Sequence, residues 1–348
     1  MSLISLPVMA IALGLGFVAA DDAPRQAAVP GTSDGLIVFS SNRDGTFRLY
    51  SCLEDGSNVQ LATTGEDADV FPSWSPSGDR IAFVSGKTLT LLDWKTKSRQ
   101  SLDVAVDPEF SPLSWSPKGD RILCSSGDEL VIVDVASKKT SKLSSTTGLK
   151  EGITGTWMPD GKTLLVSSGS CAPTLQLLAA DGTLTSFLAT IPVLSLVPQL
   201  GGVWSDATPH RCAFTSSRIA DLKLDDATKK KRVDGKPGVE KKEGDLPVID
   251  MYDVYIAEED GSNPTKVFST SGMDWAWGWS PDGTALLVSS ADATPTEGPA
   301  NLAGSGKHAD SDLFIVWVGT DRTLGLTKDA ALERGASWRP RVTPPPTH

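Results

Sequence analysis

The chain is poor in the groups that most enzymatic chemistry needs. Its 348 residues include three histidines, His210, His308 and His348, which fall in a turn, an insertion and the terminus. So dispersed, they assemble neither a His-ligated metal nor a Ser-His pair. Cysteine is scarce too. Cys52, Cys124, Cys171 and Cys212 stand alone, with no CxxC and no nearby His, so a zinc site is not expected, and neither is a cofactor. Basic residues are outnumbered 32 to 43, and a net charge of −11 disfavours a nucleic-acid partner, because phosphate binding needs a basic field. After the first twenty residues no apolar run is long enough to cross a membrane.

Two strings that look catalytic fail on context. Gly31-Thr32-Ser33-Asp34-Gly35 satisfies G-x-S-x-G, but a nucleophile elbow has a strand before it and a helix after, and here an apolar leader precedes and a strand pattern follows. Gly304-Ser305-Gly306-Lys307 looks like the end of a phosphate loop. Asn301 stands where the first Gly should be, and His308 where Ser or Thr would bind magnesium.

Residues 1–20 lack any charged side chain. The run from Pro7 ends in Val18-Ala19-Ala20 before Asp21-Asp22, small residues of the kind signal peptidase accepts. No Lys or Arg stands at the start, so the amino group of Met1 would supply the positive charge. A signal peptide over 1–20, a linker over 21–33 and a periplasmic or secreted protein are expected, with no stable membrane insertion after cleavage. The alternative is an uncleaved N-terminal anchor. No cysteine lies near the cleavage site to carry lipid.

What the chain does have is a repeat. FPSWSPSGDRIAFVS, LSWSPKGDRILCSS, GTWMPDGKTLLVSS, GVWSDATPHRCAFTSS and WGWSPDGTALLVSS follow one another in order. The repeated tryptophans are Trp74, Trp115, Trp157, Trp204, Trp279 and Trp338, spaced by 41, 42, 47, 75 and 59 residues. The first three intervals are near the length of a four-stranded propeller blade, and the last two are the same unit with insertions. In the Trp74, Trp115 and Trp279 units the Trp-bearing strand is stopped by a Ser-Pro-x-Gly turn, where Pro fixes φ and Gly supplies positive φ. The next strand, such as Ile81-Ala82-Phe83-Val84, is apolar on both alternating faces, as in a sheet packed between two others.

The chain ends complete each other. Trp338-Arg339-Pro340 has a first strand with no second after it, and Gly35-Leu36-Ile37-Val38-Phe39-Ser40-Ser41 has a second strand with no Trp before it. The pattern predicts an all-β fold: a six-bladed β-propeller over 34–343, closed by pairing the N- and C-terminal strands in one blade, with a tail at 344–348. Cys52, Cys124, Cys171 and Cys212 then fall in blades six, two, three and four. Buried thiols are expected, and any bridge must join Cys171 to Cys124 or Cys212.

These residues resemble a family. SSNRDGTFRLYSCLEDGSNVQL joined to FPSWSPSGDRIAFVS is similar to the TolB-like, WD-like propeller repeat, with its SxRDG turn, its IY-type third strand, its DG turn and its PxWSPDG hairpin. The resemblance runs from Asp34 to Val342 and concerns the propeller alone, without the α/β domain that precedes it in TolB proteins. Blade three departs from the pattern with Met158 for Ser, and blade four with WSDATPHR, one residue longer.

Two insertions, 222–247 and 291–312, join second to third strands and so leave one face together. The first carries eight basic and six acidic residues, with Lys229, Lys230, Lys231 and Arg232 contiguous. They read either as tolerated surface loops or as a partner-docking rim. Asp67, Asp69, Asp107 and Asp274 recur just before inner strands and are expected at the mouth of the central channel. They lack calcium-loop spacing and read more simply as solvated turn residues.

The resemblance implies an exported, monomeric, non-enzymatic interaction module that meets a protein or peptide partner at the cell envelope. The alternative is an envelope carbohydrate-active or other small-substrate enzyme using the channel. A prolyl-oligopeptidase-like peptidase would need a hydrolase domain for which the chain to His348 has no room.

Overall fold

The computed structural model describes residues 35–108, 112–127, 129–143, 152–168, 174–188, 199–217, 252–270, 272–291, 311–328 and 331–341. Among these residues 24 strands are bounded. Six of them end on the repeated tryptophan: Asp69–Trp74, Ser114–Trp115, Gly152–Trp157, Gln199–Trp204, Met273–Trp279 and Glu333–Trp338. Each sheet is named below by its tryptophan. The turn that follows stops the strand as its residues require: the Ser75 carbonyl accepts from the Gly78 amide at 2.8 Å, and Gly78, Gly119, Gly161 and Gly283 take left-handed φ values between +66° and +70°.

Four sheets have four strands, and a fifth has eight. The eight-stranded sheet contains the Trp204 and Trp279 units, which meet through one parallel pair, Tyr252 opposite Met273. The Trp338 strand is completed from the other end of the chain. Leu36–Ser41 runs antiparallel to Glu333–Trp338, with Ile37 opposite Trp338 and Phe39 opposite Ala336. On its other side Leu36–Ser41 pairs with Arg48–Leu53.

The second strand of each unit is buried on both faces, and its alternate residues go to different neighbours. Ile81 and Phe83 pack with Trp74, Val38 and Leu49, whereas Ala82 and Val84 pack with Trp115, Ile122 and Cys124. Leu123 joins Trp157 while Ile122 and Cys124 face the Trp74 sheet. Leu165 joins Trp204 and Phe214, Ala213 joins Trp279 and Leu286, and Leu287 joins Ile37, Phe39 and Trp338. Each of these six clusters is shared by two consecutive Trp-containing units, the Ala213–Trp279 cluster lying within the eight-stranded sheet, and the cluster of Val38, Leu49 and Trp74 joins the sheet of the chain ends to the Trp74 sheet. Period-2 alternation thus builds two interfaces from one strand. Three of the outermost strands, Gln60–Leu61, Thr140–Lys142 and Leu184–Ser186, are two or three residues long and exposed, which leaves little edge there for unwanted pairing.

Candidate functional site

Residues of all six Trp-ending strands line one cavity of about 300 Å³. Five of these strands carry a β-bulge, seen as register shifts at Val70/Ser73, Gly152/Thr154, Leu200/Val203, Ala276/Gly278 and Phe39/Ser41. Bulges re-aim side chains, and here Phe71, Pro72, Gly202, Trp277 and Gly335, all at bulges, line the cavity. Phe71 lies 6.0 Å from Trp277, and Trp275 lies 6.0 Å from Trp277, so one side of the cavity is aromatic. Past four of the tryptophans the turn proline completes the lining: Pro76, Pro117, Pro159 and Pro340.

Three of the tryptophans are held by indole hydrogen bonds, two of them to the preceding unit. The Trp115 indole N–H donates to the Ser73 carbonyl at 3.1 Å, and that of Trp279 to the Val203 carbonyl at 2.9 Å. Trp338 donates to Glu54 Oε1 at 3.1 Å. The indole nitrogens of Trp74, Trp157 and Trp204 are buried and have no partner among the described residues. Arginines cover the rings. Arg80 stands 5.4 Å from the Trp115 centroid, Arg121 4.4 Å from Trp157, Arg211 5.0 Å from Trp279 and Arg339 5.3 Å from Trp74. Each guanidinium caps the tryptophan of the next sheet, a cation–π contact worth about 0.5–2 kcal/mol. Reading the repeat for its tryptophans passes over this role, although Arg80 and Arg121 each follow the turn glycine by two residues.

Serine after tryptophan organises the turn. Ser75 Oγ accepts from the Arg80 amide at 3.1 Å and donates to Asp79 at 2.9 Å; Ser116 does the same with Arg121 at 3.0 Å and Asp120 at 2.6 Å. The Ser116 hydrogen bond, with Arg121 beside it, holds the Asp120 carboxyl below its ordinary range despite some desolvation. Where Met158 replaces serine, Asp160 takes over, accepting from the Lys162 and Thr163 amides, each at 2.8 Å. In WSDATPHR the extra residue is absorbed by a cis Thr208–Pro209 bond and by His210 Nδ1 at 2.9 Å from the Ser205 carbonyl.

The four aspartates expected at the channel mouth are Asp67, Asp69, Asp107 and Asp274. None is among the residues lining the cavity. Asp69 is buried and salt-bridged to Arg99 at 2.5 Å. Asp274 is buried and accepts from the Thr270 amide and hydroxyl, both at 2.7 Å. Burial, assisted by the charge of Asp253, pushes its carboxyl up, against those hydrogen bonds. Asp67 and Asp107 are exposed. The physical reason is strand polarity: these residues sit at the beginnings of the inner strands, and the cavity lining continues past the ends that carry tryptophan.

Both insertions leave from the same end as those aspartates, since Gln199 lies opposite Ser216 and Met273 opposite Ala291. Lys229, Lys230, Lys231 and Arg232, like most of 222–247 and 291–312, lie outside the described residues, as do residues 1–34, Cys171 and the tail at 344–348. Cys52, Cys124 and Cys212 are free and buried, and desolvation pushes the thiols of Cys52 and Cys124 up to about 12.

No family model matches the chain. Over 79 residues it is 34% identical to a TolB homolog of Chlorobium luteolum, a match that covers 21% of this chain and 18% of that protein. Over 56 residues it is 36% identical to a Tol-Pal system protein TolB of Desulfosudis oleivorans, covering 16% of this chain and 13% of that one. The chain thus spans less than a fifth of the length of these curated relatives. In structure it is similar to TolB from Acinetobacter baumannii, with a TM-score of 0.62 at 18% identity over 90% of this chain and 68% of that chain.

Proposed function

Since the chain carries a TolB-like β-propeller, we propose that it is a six-bladed, closed ring serving as an exported, non-enzymatic protein-interaction module of the Tol-Pal-related kind, in the periplasm or outside the cell. Counting the eight-stranded sheet as two blades makes six, and the pairing of Leu36–Ser41 with Glu333–Trp338 supports closure. The observation that carries the docking role is the cavity, whose aromatic and proline lining comes from all six inner strands and contains one ionisable side chain, Asp206. Such a surface suits an apolar, extended protein segment: stacking area is offered, and general acid–base partners are few. The basic run 229–232 would supply a second docking element, within the insertion 222–247.

Photo-crosslinking distinguishes the two ends. A benzoyl-phenylalanine at position 117 samples the cavity mouth and one at position 230 samples the inserted segment. Crosslinking to a discrete envelope protein from either position is the expected outcome. No crosslinked protein from both, together with turnover of an envelope glycan by the purified chain, would replace this reading with the enzymatic one. Deleting 223–246 should leave thermal stability nearly unchanged, because closure entropy varies slowly with loop length.

A further inference from the structure

The residue two past each repeated tryptophan is Pro76, Pro117, Pro159, Pro281 and Pro340 in five units and Asp206 in the sixth. Four of those prolines and Asp206 line the cavity, and Asp206 is the only charged residue that does so among the described residues. The proline pattern is broken once, and the break puts an aspartate into a lining that includes Trp204, Trp279 and Gly202.

Asp206 is not used up by the fold. It takes part in no hydrogen bond or salt bridge among the described residues; the neighbouring turn contacts are made by Ser205, Ala207 and His210. Arg211, the nearest arginine in the chain, is committed elsewhere: its guanidinium donates to the Gly283 carbonyl at 2.7 Å and lies over Trp279. Asp206 remains accessible although protein crowds its carboxyl. Desolvation raises its pKa, with the His210 charge acting the other way.

We propose that Asp206 is a specificity determinant that selects, in the segment entering the cavity, an arginine side chain. This rests on the reading of the cavity as a docking site. A planar, weakly hydrated guanidinium stacks on indole faces and pairs in bidentate fashion with a carboxylate, whereas an ammonium is more strongly hydrated and gains less from an aromatic wall. About 300 Å³ is at the lower end of ligand-pocket volumes, room for one or two side chains rather than a large cofactor. The net charge of −11 adds a field that attracts basic segments.

The test pans a phage-displayed random 12-residue library against the full chain and, in parallel, against Asp206→Asn, which keeps the side chain's size. Arginine fixed at one position in the sequences enriched by the wild type, and lost with Asp206→Asn, is expected. The best synthetic peptide should bind the variant at least tenfold more weakly, and its citrulline analogue should lose the same factor on the wild type. Asp67→Asn and Asp107→Asn, at exposed acids outside the cavity, should change neither result. Equal binding by Asp206→Asn, enrichment without a basic position, or no enrichment at all overturns the proposal. Enrichment without a basic position, competed by bulk added at position 117, would sink the arginine inference while leaving cavity docking standing. Melting curves of Asp206→Asn matching the wild type confirm that the comparison is between folded proteins.

Discussion

Gly202 reports on how closely consecutive sheets are packed. It lies two residues before Trp204, and a methyl group added to it would sit 2.5 Å from Leu165 Cδ2, 3.5 Å from Leu165 Cγ and 3.6 Å from Cys212 Sγ. Leu165 is 1% exposed and Cys212 is fully buried, so a leucine turning away from the new methyl must press on buried neighbours. Overpacking of this sort costs about 1–3 kcal/mol, offset in part by the roughly 0.4–1 kcal/mol that Gly→Ala gains from a stiffer unfolded chain. Near the middle of these ranges Gly202→Ala costs about 1 kcal/mol net and should lower Tm by roughly 2–4 °C. Leu165→Ala alone creates a cavity and should cost about 2–5 kcal/mol. The double variant is the decisive one, because removing Cδ2 makes room for the new methyl. Its destabilisation, from urea titration of tryptophan fluorescence, should be smaller than the sum of the two single effects by about 1 kcal/mol or more. A Gly202→Ala protein as stable as the wild type, or single effects that add within about 0.5 kcal/mol, would refute the close approach of the Trp157 and Trp204 sheets.

Other expectations follow from the same contacts. Ending the chain at residue 332 removes the strand opposite Ile37, Val38 and Phe39, and should make the protein aggregate by size-exclusion chromatography where the full chain does not; an elution and melt unchanged from the full chain would contradict closure through that pair. Cys52, Cys124 and Cys212 should resist iodoacetamide at pH 8 and react only on unfolding, since burial keeps their thiols protonated; rapid native labelling mapped to any of the three would be contrary evidence. Asp274 has a folded pKa above its unfolded value of about 3.9, so the folded state binds the extra proton, and stability from this group declines as pH rises from the unfolded to the folded pKa. Asp274→Asn removes that dependence, and its Tm should fall less than the wild type's between pH 4 and pH 7; parallel curves would rule out the burial cost.

Much of the architecture is written in local pattern. A tryptophan, a Ser-Pro-x-Gly turn and a strand apolar on both faces require only short-range chemistry, and so the inner hairpins around Trp74, Trp115 and Trp279 are legible from their own residues. The pairing of Leu36–Ser41 with Glu333–Trp338 is legible as well, because each end lacks the strand that the other has. Contacts between sheets are not. That Arg80 covers Trp115, or that Ser73 accepts from the Trp115 indole, depends on how one sheet is rotated against the next, and a spacing of 35 or 42 residues carries no trace of that rotation. The aspartates show the same limit in reverse. Asp69 reads as a solvated turn residue until Arg99, thirty residues away, is folded against it, and only burial turns it from a surface charge into an internal ion pair. Asp206 is an unremarkable residue in a lengthened turn until six strand ends converge; that convergence, a property of the assembled sheets, makes it the one charged residue in the lining of an aromatic cavity.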